Sequence, residues 1–419
     1  MTERIRFLIH RLKEQLWVKP LVMCALSVSG VLIAKLADQP DLAQVVPDVS
    51  AESVETLLKI ISASMLVMAI FAVGSMVSAY ASASSNATPR AFPLVIADDV
   101  SQNALSAFVG AFIFSLAALL PLLNNFYGPA GLFTLLVFTI LVFAIVILTF
   151  VWWVDRIARL GRLGATIEKV EQATATALER RRSIPRLGGV AIPVRKTAPR
   201  KIYGNTVGYV QQVRVTDLQA IAEQHDLLIE VAALPGTFAT PTRPLACIDG
   251  QTEDLSACEQ AIVDTFTIGK NRTFEDDPRF GLVVLSEIAG RALSPGINDP
   301  GTAIGVIGTL VRMFVLWQEP ADTQETETAT CDRVAIPELS MDDLFEDAFT
   351  AIARDGAATV EVMVRLLKAH ETLAALGHRP MTATALQHAK MAVARAEHSL
   401  TLPQDIEAIR KAAHFAIQS

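Results

Sequence analysis

From Val100 to Val154 the chain carries no Asp, Glu, Lys or Arg, and its two long apolar runs are parted only by Asn124-Asn125-Phe126-Tyr127-Gly128-Pro129. A helix in water needs one face that meets solvent, whereas roughly 20 apolar residues match the hydrocarbon core of a bilayer. The stretch reads as two membrane spans joined by a tight turn, and the chain as an integral membrane protein whose first partner is the lipid bilayer. Two more apolar runs come earlier, at 21–37 and 60–80. Lys35 lies close enough to the end of the first to snorkel to the interface. No small-residue cleavage pattern follows Ala34, so that run is read as a span and not as a signal peptide.

Basic residues set the orientation. Arg4, Arg6, Arg11, Lys13 and Lys19 precede the first span, and Arg156, Arg159, Arg162 and Lys169 follow the fourth. The loop after the first span has acids but no Lys or Arg before Lys59, and the turn after Asn124 has no cation. Both termini are therefore expected in the cytoplasm of a bacterial inner membrane, with Trp17, Trp152 and Trp153 at the cytoplasmic interface.

The acidity belongs to the remainder of the chain. Residues 1–154 carry 8 Lys or Arg against 9 Asp or Glu, and residues 155–419 carry 28 against 34. That balance argues against a nucleic-acid partner. Cys24, Cys247, Cys258 and Cys331 show no Cys-x-x-Cys pairing, so neither a disulfide framework nor a zinc site is indicated.

The expected fold class is an integral membrane α-helical bundle of four transmembrane helices with a cytoplasmic α+β region. Residues 1–154 form the membrane domain, with spans near 21–37, 60–80, 104–123 and 133–154. Residues 155–186 form a connecting helix in which Leu160, Leu163, Ile167 and Val170 have coiled-coil spacing. Arg180, Arg181 and Arg182 close that helix, where cations complement its dipole. Residues 187–250 read as a small β-rich module, with strands at 208–213, 227–233 and 245–248 and a helix capped by Thr216. Residues 251–419 read as a helical domain, with helix starts at Asp276-Asp277-Pro278 and at Ser340, interrupted by a mobile acidic linker from Glu319 to Asp332.

Candidate functional residues are sparse. Span polarity is confined to small neutral groups, with no carboxylate or histidine for a proton relay. Gly74 with Ser78, and Ser106 with Gly110, are small pairs four apart; with Ser75 they are candidates for helix packing or a pore lining. Arg90, the one cation of the 81–103 loop, is a candidate contact for lipid phosphate or another anion. In the soluble part, Arg291, Ser294, Asn298, Asp299 and Thr302 converge where one helix stops at Ser294-Pro295-Gly296 and another starts at Asp299-Pro300. Asp299 is the natural N-cap there, and a ligand site is the competing reading. The apolar run 300–317, with Arg312 inside it, reads as a buried core helix. His370, His378, His388, His398 and His414 lack a metal-ligand spacing and read as solvated or half-buried side chains.

Five strings carry a resemblance: Pro89-Arg90, Phe108-Val109-Gly110-Ala111-Phe112, Gly208-Tyr209-Val210-Gln211, Pro235-Gly236-Thr237-Phe238 and Arg291-Ala292-Leu293-Ser294-Pro295-Gly296-Ile297-Asn298-Asp299-Pro300. With them the chain resembles, over nearly its whole length, a family of bacterial predicted membrane proteins catalogued as domain of unknown function 2254. The resemblance implies no activity. The chain lacks a Gly-x-Ser-x-Gly elbow, a P-loop and a dinucleotide fingerprint, so an enzyme is the least favoured class and no cofactor is expected. The leading expectation is a homo-oligomeric channel or transport pore with a cytoplasmic vestibule. The alternative is a membrane-anchored sensor or scaffold that binds a ligand or partner.

Overall fold

The structure is a computed structural model and describes residues 17–38, 46–96, 99–157, 162–193, 199–250, 255–319 and 330–417. It divides into two compact units, Met1–Thr166 and Ile167–Ser419.

The first unit is helical: α1 (Val18–Leu36), α2 (Ala51–Asn86), the short α3 (Phe92–Ile96), α4 (Asp99–Leu123) and α5 (Pro129–Ile157). α4 is the central helix, packed by α1, α2 and α5. Its position follows from composition, since small residues let neighbours approach: Ala104, Ala107, Ala111 and Ala118 are all buried. α2 runs well beyond the apolar stretch expected for it, and Pro89–Ala91 forms a 3-10 turn after it. That turn is capped by Thr88, whose side chain accepts from Arg90 N.

Two cores fill this unit, one around Leu58, Phe114 and Leu135 and the other around Ala72, Phe108 and Trp153. The two adjacent tryptophans part company. Trp152 is 73% exposed, while Trp153 is fully buried, edge-on to Phe71 and Phe108 at centroid distances of 5.8 and 6.0 Å. The interfacial role expected of both is thus open only to Trp152, because Trp153 faces the helix bundle.

One end of the bundle is clamped by Asp38. Its carboxylate accepts from Gly128 N (2.7 Å) and Gly131 N (3.2 Å), two of the unpaired amides at the start of α5, and from Lys35 Nζ (3.2 Å). Lys35 also donates to Phe126 O at 2.7 Å and sits over the Phe126 ring. Burial works against the Asp38 charge, but the bonds from Gly128, Gly131 and Lys35 outweigh it and hold the carboxyl below its ordinary value.

The connecting helix expected over 155–186 includes residues 158–161, Leu160 among them, which lie outside the described residues; α5 ends at Ile157 and α6 (Leu163–Ser183) begins after Arg162. In the second unit α6 buries Val170, Thr174, Ala177, Leu178 and Arg181 along one face. Its Cβ-free neighbour is Gly281, where an added Cβ would lie 2.0 Å from Thr174 Oγ1.

The sheets follow. β1 (Gly189–Val190), β2 (Arg200–Tyr203), β4 (Leu228–Val231), β6 (Pro244–Asp249) and β8 (Cys331–Ala335) form a five-stranded sheet in the order β1-β8-β4-β6-β2. β8 runs parallel to both of its neighbours. β3 (Gly208–Val213), β5 (Phe238–Ala239) and β7 (Phe266–Gly269) form a three-stranded antiparallel sheet in the order β5-β3-β7. Two of these strands, β7 and β8, come from beyond residue 250. β8 includes Cys331 and Asp332, which the sequence placed in a mobile linker; residues 320–329 of that stretch lie outside the described residues.

Helix α7 (Val215–Gln224) covers β8. Its N-cap is Arg214, without a side-chain bond, and not the expected Thr216. Gln219 is accordingly free of a capping box and ties the strand instead, donating to Asp332 at 2.7 Å and accepting from Arg333 N at 2.9 Å. α8 (Leu255–Val263) completes this layer.

The remaining helices are α9 (Pro278–Ala292), α10 (Pro300–Gln318), α11 (Met341–Asp355), α12 (Val360–Ala375), α13 (Arg379–Ser399), α14 (Pro403–Ala412) and α15 (His414–Ile417). α10 packs on α9 and α12, burying Ala303, Val306, Ile307, Leu310, Met313 and Phe314. With α1, α2, α4 and α5 it makes, among the described residues, five helices that are long and apolar enough to cross a membrane.

Phe314 joins Phe345 and Phe349 in a ring cluster at 4.6 and 5.5 Å, and two histidines complete it. His370 is 0% exposed and stands 4.9 Å from Phe349 and 6.1 Å from His388, itself 8% exposed. The expectation of solvated or half-buried side chains therefore fails for these two, because both lie on the inner faces of α12 and α13. It fits His378, His398 and His414, which are exposed. Burial, with the nearby His388, pulls His370 down to about 3; burial lowers His388 too, against the pull of Asp342.

Two measurements check this packing. Asp38→Ala removes a helix cap and is expected to destabilise the detergent-solubilised chain by about 1–2 kcal/mol in reversible unfolding; an unchanged midpoint contradicts the clamp. Histidines held neutral in the fold but protonated when unfolded make stability fall as pH drops below about 6.5 toward 3. The slope approaches ~1.4 kcal/mol per pH unit for each such group. His370→Phe is expected to flatten the slope and to stabilise the fold at pH 5; a slope identical to that of the unsubstituted chain rules this out.

Candidate functional site

Two clusters of polar contacts in the second unit lie at the two ends of α9. At the N-terminal end, Asp277 is the N-cap and only 1% exposed, accepting from Phe280 N at 3.2 Å. Arg272 grips both of its oxygens, through Nε at 2.6 Å and Nη2 at 3.0 Å. The Pro235-Gly236 turn lies directly against this carboxylate: a Cβ on Gly236, whose φ is +91°, would sit 2.4 Å from Asp277 Oδ2. Only glycine meets both demands. The turn is fixed to β3 by Gly236 N to Val210 O (2.8 Å) and Val210 N to Thr237 O (2.9 Å). The strings Gly208-Tyr209-Val210-Gln211 and Pro235-Gly236-Thr237-Phe238 thus meet at one place, with the Tyr209 and Phe238 rings 5.0 Å apart.

The three arginines at the end of α6 separate into three environments. Arg180 pairs with Asp276 at 2.8 Å on the surface. Arg182 donates to Leu316 O at 2.5 Å in the last turn of α10, a carbonyl that also accepts from Glu319 N. Arg181 is 3% exposed, and its Nε, Nη1 and Nη2 are buried without a hydrogen-bond partner. Burial draws its pKa down to about 10, against the attraction of Asp276 and Asp277. Burial likewise raises the Asp277 carboxyl above its ordinary value, against the bonds and charge of Arg272. A role limited to complementing the α6 dipole does not describe Arg181, which sits on the buried face of that helix.

At the other end of α9 lies the junction singled out in the sequence. Ser294 Oγ donates to Arg291 O (2.7 Å), Asn298 N to Ser294 O (2.9 Å) and Asp299 N back to Ala292 O (2.8 Å). Asn298 takes a left-handed φ of 51°. Asp299 is the N-cap of α10, accepting from Thr302 N at 3.1 Å and Thr302 Oγ1 at 2.6 Å. Those bonds from Thr302 hold its carboxyl below the ordinary range. The position at which an incoming anion would meet α10 is filled by this carboxylate. Ser294, Asp299 and Thr302 are half-buried, while Arg291 and Asn298 are exposed.

The other candidates fall in the first unit. Gly110 marks the crossing of α4 with α1, where an added Cβ would lie 3.0 Å from Met23 Cβ, and Ser27 Oγ donates to Gly110 O at 2.8 Å. Ser106 is buried and donates to Gln102 O at 2.6 Å. Gly74 and Ser78 lie on the exposed face of α2, with nothing within 4 Å of a Cβ built on Gly74, and Ser75 is half-buried beside them. The two small-residue pairs therefore differ: one packs helices within the chain, the other faces outward. Arg90 is exposed in its 3-10 turn. Among the described residues no group of three or more His, Cys, Asp or Glu could hold a metal ion.

Sequence reasoning found Asp277 as a helix start but missed the arginine cluster around it. A signal existed: from Arg180 to Thr216 the chain carries nine Lys or Arg and no Asp or Glu. Such a run needs acids from elsewhere, and the structure supplies Asp276, Glu319, Glu338 and Glu259 to Arg180, Arg182, Arg186 and Arg200.

The two caps of this region differ in expected cost. Asp299→Ala loses an accessible cap, about 1 kcal/mol. Asp277→Ala strands Arg272 in a buried site and is expected to cost about 3–5 kcal/mol. Denaturant unfolding of both variants checks the ranking; equal losses contradict the assignment of Asp277 as the buried anchor.

Comparison with known proteins places this geometry in context. The uncharacterized proteins Mb1321c of Mycobacterium bovis and Rv1290c of Mycobacterium tuberculosis are each 36% identical to the chain over 104 residues, 24% of its length. The matched part spans only about a fifth (20%) of those relatives' own length. No solved structure matches the chain. A family model described as "Predicted membrane protein (DUF2254)" matches residues 13–372, and the chain belongs to that family.

Proposed function

We propose that the chain is a multi-span inner-membrane anchor for a cytoplasmic sensor or scaffold unit that binds a ligand or partner and is not an enzyme. The observation that carries this reading is the closure of the helical unit. Buried Ser106, Ser115 and Thr139 each turn their hydroxyl onto the carbonyl four residues back, and the space between the helices is filled by apolar side chains. These three side chains are at most 3% exposed, so their oxygens, although still able to accept, face packed side chains and not a path open to an ion.

In this reading α1, α2, α4 and α5 span the bilayer, and α10 belongs to the soluble core. Arg312 on α10 supports that, held by Glu171 through Nε at 2.6 Å and Nη2 at 2.7 Å, as does the ring cluster around Phe314. The basic flanks before α1 and after α5 support cytoplasmic termini.

A channel remains the second reading, and one feature favours it. The open face of α2 at Gly74 and Ser78 suits close approach by a second copy of the chain, and a pore between copies would not need an opening within one.

Reconstitution decides between them. Vesicles containing the purified chain and an entrapped ion-sensitive dye are expected to leak K⁺, Na⁺ and Cl⁻ no faster than empty vesicles. Protein-dependent flux that is lost in Gly74→Leu would overturn the anchor reading and establish the inter-subunit pore.

A further inference from the structure

We propose that Arg181 is the receptor for a compact oxyanion of the phosphate class, bound where the end of α6 meets the start of α9. The inference rests on the reading of the soluble unit as a binding module and names the chemistry of its ligand. Among the described arginines of the acid-free run, Arg180, Arg182, Arg186, Arg200 and Arg214 each have a carboxylate in contact. Arg181 has none, and it is the most deeply buried of them.

The nearby acids are already committed. Asp276 is held by Arg180, and Asp277 accepts both arms of Arg272 and the Phe280 amide. One positive charge is left over in a dry place. Burying an ion without a hydrogen-bonded partner is among the most costly arrangements a fold can contain. A guanidinium at about 10 stays protonated near neutral pH, so the charge does not escape by titration. The carbonyl end of α6 favours cations in its last turn, which accounts for three arginines there. It does not account for Nε, Nη1 and Nη2 all lacking an acceptor.

An oxyanion answers each of these points. The planar fork of an arginine matches two oxygens of a phosphate with parallel hydrogen bonds. Entry requires a local opening, since the three nitrogens present almost no accessible surface. The adjacent Arg180–Asp276 pair is the weak point: the Arg180 side chain is 60% exposed, and exposed ion pairs hold loosely. Once freed, Arg180 supplies a second cation. Phosphate chemistry has two sources here, free phosphate and the headgroup of an anionic lipid, and both present the same oxygens.

The test is thermal unfolding of the full chain in detergent against inorganic phosphate, with chloride balancing the ionic strength. A parallel titration uses short-chain phosphatidylglycerol, with phosphatidylcholine as its neutral control. The expected result is a saturable rise in Tm that is absent in Arg181→Met, while Arg181→Lys, which keeps the charge but loses the fork, needs at least tenfold more ligand. A rise confined to phosphatidylglycerol assigns the lipid source, and one confined to phosphate assigns the free ion. No rise with either anion, or an equal rise in Arg181→Met, overturns the proposal. Should Arg181→Met fail to fold, Arg181→Lys decides alone: an unchanged midpoint concentration overturns it. Flux through vesicles would dispose of the anchor reading without touching this titration, and a failed titration leaves the flux result standing.

Discussion

Inside a bilayer no water waits to satisfy a polar group, and on the proposed reading of α1, α2, α4 and α5 as spans that constraint shapes the first half of this chain. Every hydroxyl placed there must find its acceptor on protein, and the cheapest is the carbonyl one turn back on the same helix. Ser115 and Thr139 take that route. Their interiors then need only apolar contact and small residues, which α4 provides from Ala104 to Ala118. Charge returns only at the ends. Asp38 and Lys35 show how an end is finished, with the acid on the open amides of α5 and the cation on a loop carbonyl.

The second half adds ionic contacts around an apolar core that includes Leu218, Ile229 and Leu245. A run of cations from Arg180 onward is neutralised by acids that arrive much later in the chain. Gly281 and Gly236 are the steric permissions for the packing around α9. One lets α6 reach α9 at Thr174, and the other lets the Pro235 turn reach Asp277. Arg181 is the member of the run that this scheme leaves over.

Much of the helical architecture was legible in the sequence. The apolar runs, the caps at Asp277, Asp299 and Ser340, and the strands at 208–213, 228–231 and 244–249 all have local signatures that depend on neighbours in the chain. What was illegible depends on distant partners. β8 is five residues of mixed character, and it is a strand because β1 and β4 offer it hydrogen bonds on both sides. Trp153 and Trp152 are chemically identical neighbours sorted only by which face of α5 meets the bundle. Nothing local marked His370 as buried or Arg181 as dry. The candidate junction at Arg291 to Thr302 was visible as a motif, whereas the Asp277 cluster draws on residues from 181 to 277.

The claim that joins these parts is that the membrane unit is a sealed anchor and that recognition resides in the soluble unit. Single-particle imaging of the full chain in lipid nanodiscs addresses it most directly, through the radius along the membrane normal within and between copies. The account predicts helices packed without a water-wide path, whatever the number of copies. A continuous opening lined by α2, with Gly74 and Ser78 at its wall, would contradict it.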